Sequence, residues 1–333
     1  MKAIVLNRNF EDKIQLIEVE KPVPSKGEAL VKIKAAALNH RDNWSRKGLY
    51  PNLKDGVILG SDGAGIVESL GSESDSNWLG KEVIINPAIN WGANQLAQGK
   101  DFVILGMPRN GTFSEYVVVP AGRLHPKPAH LTWEEAAALP LAGLTAYRAL
   151  VFQGKVEASE KVLISGIGGG VAQFAAQFAQ ALGAELYVTS SDSQKLKMAK
   201  ESGAKFGFNY KSDSWVEAAL KQTDGGFDLI IDGAVGDGLN SLIQVCRPGG
   251  RIVFYGATAG NPGKVEARKI FWNQLKIMGT TMGSDRDFLE MLNLVQSKSI
   301  KPVIDQVFQI EDAFEAFRRM NKGEQLGKIV LIP

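Results

Sequence analysis

KVLISGIGGGVAQFAAQFAQALG, residues 161–183, is the stretch on which the reading of this chain turns. Val162, Leu163 and Ile164 form a short apolar run with β-branched members. Ser165-Gly166-Ile167-Gly168-Gly169-Gly170 follows, and then a small-residue stretch with helical amphipathicity. Strand, glycine turn and helix in that order make a phosphate-binding βα unit. The glycines let the backbone turn tightly and approach a pyrophosphate, which sits at the helix N-terminus among unpaired N–H groups. Gly166 and Gly168 match the first two glycines of the dinucleotide pattern, and Val171 falls where the third belongs. Read as G-x-x-G-x-x-A, the run is Gly166, Gly169 and Ala172, with Ala172 small enough for close helix–strand packing. A glycine pattern alone is also compatible with a turn that binds nothing; the next 120 residues argue against that.

Downstream, β-prone and helical stretches alternate. Glu185–Thr189, Phe206–Tyr210, Phe227–Asp232, Arg251–Tyr255 and Lys276–Thr281 read as strands. Gln194–Ser202, Ser214–Gln222 and Leu239–Cys246 read as helices. Leu229-Ile230-Ile231 is apolar on both faces, as a buried parallel strand must be. With Val162–Ile164 this gives six strands, the number a doubly wound dinucleotide domain requires. Residues 1–125 are mostly β, in short runs punctuated by Gly, Pro and Asn. Leu38–Lys47 reads as a short polar helix, and 86–111 as a long loop without periodicity, of the kind that is usually functional. The tail reads as helix, helix, strand and rejoins the first domain.

Composition narrows the function. The 333 residues suggest two domains, and 44% hydrophobic with 22% charged residues is ordinary for a soluble globular enzyme or binding protein. A net charge of +2 gives no reason to expect nucleic acid or an anionic membrane as partner. No apolar run is long enough to span a bilayer, and MKAIVLNRNF has no signal-peptide layout; a cytoplasmic location is the expectation. The single cysteine, Cys246, excludes an intrachain disulfide and a multi-cysteine zinc site.

Beyond the glycine turn, the chain carries Ala37-Leu38-Asn39-His40-Arg41-Asp42, Gly48-Leu49-Tyr50-Pro51, Leu59-Gly60-Ser61-Asp62-Gly63-Ala64-Gly65 and Gly111-Thr112-Phe113-Ser114-Glu115-Tyr116. Ala142-Gly143-Leu144-Thr145-Ala146, Arg247-Pro248-Gly249-Gly250 and Gly327-Lys328 complete the set. With these motifs the chain resembles a medium-chain dehydrogenase/reductase, specifically the zinc-free quinone oxidoreductase-like branch. The resemblance implies an α/β protein. A GroES-like β-rich catalytic domain would span 1–125 and 284–333. A Rossmann domain with a doubly wound six-stranded parallel sheet would span 126–283 and bind NADP(H) in a cleft between the two. It also implies a small carbonyl or quinone substrate and a homodimer or homotetramer, which an open sheet edge at Lys276–Thr281 would favour.

In the zinc-dependent branch a Cys begins the segment ending at Asp42 and a His follows the glycine of Leu59-Gly60; here those positions hold Asn39 and Ser61. Carboxamide and hydroxyl are poor zinc ligands, and 86–111 has the place of that branch's structural-zinc lobe without a cysteine. No metal is therefore expected. Trp91 and Phe102 either pack the lobe or shape an entrance. His125 and His130 read as surface or hydrogen-bonded residues, His40 as either that or a ribose or phosphate contact.

Site expectations follow. Asn39 and Tyr50 are candidate donors to a developing oxyanion, with the alternative that Asn39 is a turn cap and Tyr50 a loop aromatic. Asp42 is either a proton donor or a buried carboxylate supporting the loop. The resemblance places Thr145 against the nicotinamide or its ribose, and Lys328 in the cofactor set. Gly166, Gly168, Gly169, Gly170 and Val171 would hold the pyrophosphate. An NAD-specific domain ends its second strand in Asp or Glu, whereas this one ends Thr189-Ser190-Ser191. Ser190, Ser191, Lys195 and, by the resemblance, Tyr210 would accept a 2′-phosphate, so NADPH is expected, with Asp192 pointing to solvent. The reading is an NADPH-dependent, zinc-free reductase of quinones, α,β-unsaturated carbonyls or simple carbonyls. The alternatives are an alcohol or aldehyde reductase that has lost its metals, and a non-catalytic NADPH-binding regulatory or structural protein.

Overall fold

Apolar alternation and glycine punctuation become regular elements throughout the computed structural model, which describes residues 1–72 and 76–333. In chain order the first part holds β1 (Lys2–Leu6), β2 (Ile14–Glu18), β3 (Glu28–Ala37), α1 (His40–Arg46), β4 (Asp62–Leu70) and β5 (Glu82–Ile85). β6 (Ala88–Ile89), β7 (Val103–Ile104), β8 (Tyr116–Pro120), β9 (Leu124–Pro126), α2 (Trp133–Ala138) and α3 (Pro140–Tyr147) follow. Then come β10 (Lys161–Ile164), α4 (Gly170–Ala181), β11 (Glu185–Ser190), α5 (Ser193–Glu201), β12 (Phe206–Asn209) and α6 (Trp215–Thr223). β13 (Phe227–Asp232), α7 (Leu239–Val245), β14 (Cys246–Phe254), α8 (Ala267–Trp272) and β15 (Lys276–Gly279) continue the alternation. The tail is α9 (Asp285–Ser297), β16 (Ile304–Gln309), α10 (Ala313–Lys322) and β17 (Lys328–Ile332).

Two units result, Met1–Ala142 with Gly283–Pro333, and Gly143–Met282. The start of the second lies later than the sequence suggests. Residues 126–142 belong to the first unit because Ala136, Ala137 and Ala138 of α2 are buried on β3 and β4. In the second unit the six strands lie in the order β12-β11-β10-β13-β14-β15, every pair parallel. That is the doubly wound order, with its topological switch point between β10 and β13. β13 is buried along its whole length, which is why its sequence shows no alternation. Phe174 and Phe178, one turn apart on α4, are both buried with ring centroids 5.7 Å apart. β15 forms one open edge.

In the first unit β3 is the hinge of the sheet. β4 pairs along it, β8 pairs with its first half, and β17 pairs with Ala36 and Ala37 at its end. Ala37 lies opposite both Asp62, the first residue of β4, and Val330 of β17. The tail thus rejoins this sheet, as expected, but through an additional strand, β16, parallel to β17. Its sequence, IDQVFQ, lies at the sheet edge and half in solvent, so it lacks the apolar signal of a core strand. The 86–111 stretch also has more structure than its composition suggests. It contains the β6–β7 hairpin, and Trp91, buried, meets Phe102 edge to face at 5.3 Å.

Candidate active site

The first cluster grows from the register of β3, β4 and β17. The end of β3 delivers Asn39, the start of β4 delivers Asp62, and the start of β17 delivers Lys328, all buried. Lys328 Nζ donates to Asn39 Oδ1 at 2.7 Å and to Asp62 Oδ2 at 2.9 Å. Asn39 Nδ2 donates to the same Asp62 oxygen at 2.9 Å, and the Leu141 N–H closes the set on Asp62 Oδ1 at 2.7 Å. Asn39 precedes α1 in extended conformation, the geometry of a cap. Yet the capping is done from the other side, because Asp42 Oδ2 accepts the Asn39 N–H at 2.8 Å. This leaves the Asn39 carboxamide free to turn toward Lys328 and Asp62.

In that geometry the Asn39 amide donates to Asp62 and its carbonyl oxygen accepts from Lys328. Asp42 is buried, with the Asn39 N–H on its Oδ2. Its burial pushes the carboxyl up to about 6, partly offset by the neighbouring Arg41, and its Oδ1 makes no hydrogen bond. Ionising it in place costs on the order of 3 kcal/mol. Because the folded state holds this proton more tightly than the unfolded one, the associated stability is complete below about pH 4 and lost as pH rises through about 6. Asp42→Asn should therefore gain melting temperature relative to wild type between about pH 5 and about pH 8. An unchanged difference at the two pH values would refute the assignment.

Arg41, not singled out in the sequence, forms the neighbouring knot. Its guanidinium donates to Ser61 Oγ at 2.5 Å, to the Leu105 carbonyl at 2.8 Å and, more weakly, to the Met107 carbonyl at 3.4 Å. Ser61 passes its own proton to the Leu105 carbonyl at 2.8 Å. The half-buried Tyr50 lies beside this knot, its ring 4.8 Å from the guanidinium carbon. Arg41 thus ties α1 to the end of the 86–111 stretch. Of the histidines, His125 packs on Phe288 at 4.7 Å, with burial and then Arg123 pulling its imidazole down to about 4. His130 Nε2 lies 3.0 Å from the Ile300 carbonyl, and His40 is exposed at the start of α1.

A zinc ion does not fit these residues. Asn39 and Ser61 have their polar atoms engaged within the chain, and two cations, Lys328 and Arg41, already contact them. Among the described residues no group of three or more His, Cys, Asp or Glu could hold a metal.

The second cluster lies in the Rossmann unit at the carboxyl ends of β10, β11 and β13. Gly166 has φ +63°, a conformation that favours glycine. Its N–H is held by Thr189 Oγ1 at 3.1 Å, and the Ile167 N–H by the Thr189 carbonyl at 3.0 Å. Across the switch point, Asp232 accepts the Ser165 hydroxyl and, at 2.7 Å, the Val235 N–H. Val235 sits at φ +56°, strained for a β-branched residue. Thr189 and Asp232 are thus site-shaping residues whose partners lie 23 and 67 positions away, beyond the reach of a local motif. Gly169 ends the turn at φ −82°, ψ 155°, and Gly170 and Val171 open α4. A Cβ added to Gly166 or Gly169 would meet nothing within 4 Å, so both glycines border open space of the kind a pyrophosphate requires, with Gly168 between them.

At the end of β11, Ser190 is buried and its Oγ accepts the Asp192 N–H at 3.1 Å. Asp192 caps α5 by accepting the Gln194 N–H at 2.8 Å and the Lys195 N–H at 3.4 Å. Tyr210, exposed, donates to Ser191 Oγ at 3.2 Å. The structure thereby brings Ser190, Ser191 and Tyr210 together, with Lys195 in the first turn of α5. Thr145 is buried on α3. Lys328 donates to Asn39 and Asp62.

Comparison with known proteins agrees with this arrangement. Residues 25–129 match the alcohol dehydrogenase GroES-like domain, and residues 170–297 the zinc-binding dehydrogenase family. A zinc-type alcohol dehydrogenase-like protein of Leptosphaeria maculans is 36% identical, over 96% of this chain and 94% of its own. Another, of Schizosaccharomyces pombe, is 37% identical over 95% of each chain. A crystal structure of an NAD-dependent alcohol dehydrogenase superposes with a TM-score of 0.95 at 35% identity, covering 100% of both chains. No helix among the described residues is long and apolar enough to cross a membrane. A GroES-like sheet, a six-stranded Rossmann sheet with an open glycine turn, and end-to-end similarity to alcohol dehydrogenase-like proteins make this chain a member of the medium-chain dehydrogenase/reductase superfamily, an oxidoreductase family that binds nicotinamide cofactors.

Proposed function

We propose that the protein is a zinc-independent, NADPH-dependent reductase of quinones, α,β-unsaturated carbonyls or related small carbonyls. The observation that carries the reading is the inward commitment of Asn39 and Ser61 to Lys328, Asp62, Arg41 and Leu105. Residues that could have bound a metal form a closed hydrogen-bond network instead.

The nicotinamide, when bound, supplies the hydride. Around it the chain orients and polarises. Gly166, Gly168, Gly169, Gly170 and Val171 present the pyrophosphate with backbone N–H groups at the start of α4. Ser190, Ser191, Tyr210 and Lys195 favour a 2′-phosphate, since Ser190 stands where a carboxylate would repel it and Asp192 is occupied in capping α5. Thr145 is assigned to the nicotinamide end. Tyr50, ordered by Arg41, is assigned proton delivery to the reduced substrate. The ordered 86–111 stretch and the similarity to alcohol dehydrogenases favour one second reading, an alcohol or aldehyde reductase on the same site.

The test is titration with both cofactors, followed by nicotinamide oxidation with a panel of quinones, enones and aldehydes in the presence of chelator. NADPH should bind at least about tenfold more tightly than NADH, the value of one charge-assisted hydrogen bond, and turnover should survive chelation. Equal affinities would remove the cofactor assignment. One zinc per chain, with activity lost on its removal, would remove the zinc-independent one.

A further inference from the structure

We propose that the Tyr255 hydroxyl is a further cofactor-binding group, hydrogen bonding the ribose on the nicotinamide side of the dinucleotide; this rests on the cofactor part of the reading above. Tyr255 directly follows β14, and its N–H continues the pairing with β13 by donating to the Asp232 carbonyl at 3.0 Å. It therefore stands at the carboxyl ends of the strands, the side of a doubly wound sheet on which ligands bind. Tyr255 and the residues around it all lie within the Rossmann unit, Gly143–Met282.

A glycine aims the side chain. A Cβ at Gly233, the residue after β13, would lie 2.6 Å from both Cζ and the hydroxyl oxygen of Tyr255. The ring is thus laid across the end of β13, in space that any side chain at 233 would take. Gly233 does not have positive φ, so room is what the glycine supplies. The hydroxyl makes no hydrogen bond among the described residues, and it is not shut off from solvent: Tyr255 is half-buried, and the buried polar atoms without partners lie elsewhere. The Asp232 carboxylate beside it is already committed to the Ser165 hydroxyl and the Val235 N–H. Burial of the ring, and then that carboxylate, hold the phenol proton well above its ordinary range. The hydroxyl is therefore a donor at any working pH, and a ligand can reach it.

Strand order decides which part of the dinucleotide meets it. With the pyrophosphate at the glycine turn after β10 and the 2′-phosphate at Ser190, Ser191 and Tyr210, the adenosine half occupies the β11 side. The other half runs to the β13 and β14 side of the switch point. The group bonded to the pyrophosphate there is a ribose, whose hydroxyls both donate and accept. β13 is the strand next to β10 in that direction, about 4.8 Å away. A hydroxyl standing over β13 falls beside that ribose, short of the nicotinamide ring.

The experiment is calorimetric titration of the full chain, wild type and Tyr255→Phe, with NADPH and two of its fragments. 2′-Phospho-ADP-ribose lacks only the nicotinamide ring, and 2′,5′-ADP stops before the second ribose. Tyr255→Phe removes one oxygen and keeps the ring, so the chain should fold, with a thermal melt as control. It should weaken NADPH and 2′-phospho-ADP-ribose alike by about five- to tenfold, the value of one neutral hydrogen bond, and leave 2′,5′-ADP within about twofold. A loss confined to NADPH would put the hydroxyl on the nicotinamide ring and overturn the ribose assignment. Equal losses on all three ligands, or no loss on any, also overturn the proposal. If the chain prefers NADH, the 2′-phosphate assignment fails, and the same pattern with NADH, ADP-ribose and AMP keeps the tyrosine. If the pattern holds but nothing in the panel is reduced, the reductase reading fails and the ribose contact stands.

Discussion

Asp62→Ala should destabilise the first unit by about 3–5 kcal/mol, the penalty for leaving one member of a buried ion pair without its partner. Four groups bond to Asp62, three of them to its carboxylate. Lys328 Nζ and Asn39 Nδ2 share Oδ2, the Leu141 N–H uses Oδ1, and the Thr112 hydroxyl bonds the Asp62 carbonyl at 2.7 Å. Only the last survives truncation, because it is a backbone contact. The ammonium then stays in a site that is 4% exposed, with one carboxamide oxygen as its remaining partner. For a unit of this size the loss corresponds to a fall of roughly 10 °C or more in melting temperature. The assignment predicts its own rescue: adding Lys328→Met removes the stranded charge and should restore more than half of the loss, as coupled neighbours do. A melting temperature for Asp62→Ala within about 2 °C of wild type would mean that water reaches the pair and that the site is not closed.

The largest effect on binding is expected at Gly169→Val, in a chain that still folds. Gly169 has an ordinary extended conformation, φ −82° and ψ 155°, so its backbone does not need glycine, and a Cβ there touches nothing within 4 Å. Valine at an N-cap costs only a modest amount of helix stability. What it removes is close approach of a pyrophosphate to the backbone. Hydrogen bonds to a charged group contribute about 1.5–3 kcal/mol each, and losing two of them weakens dinucleotide binding by about 100-fold or more. Calorimetric or fluorescence titration, with a thermal melt as control, reads the result. Undiminished affinity in a folded Gly169→Val chain would place the dinucleotide elsewhere. Gly166 could not give so clean an answer, since its φ of +63° makes any side chain there a backbone perturbation as well.

The Rossmann unit was legible in the sequence because its signals are local. Val162–Ile164, the glycine run and the Phe174/Phe178 pair each declare their element within a few residues, and the same holds for the apolar run of β13. Turn chemistry and hydrophobic period act over one strand or one helical turn, so they survive in a sequence read alone. β16 escaped because an edge strand half in solvent carries no apolar period, and the boundary near residue 126 shifted because α2 is assigned by what it packs on.

By itself, then, the sequence determined the two-domain architecture, the six-stranded sheet, the glycine turn, and the residue types at positions 39 and 61 that argue against a metal. Only the tertiary structure decided what those residues do. That Asn39 holds Lys328, that Asp62 joins them, and that Arg41 locks Ser61 to the Leu105 carbonyl all depend on contacts between residues 20 to 289 positions apart. The pairing of β3 with β4 and β17 sets those contacts. A strand register brings distant side chains together through backbone hydrogen bonds that carry no mark in the residues themselves, and burial then turns an ordinary lysine, asparagine and aspartate into a charged cluster sealed from water.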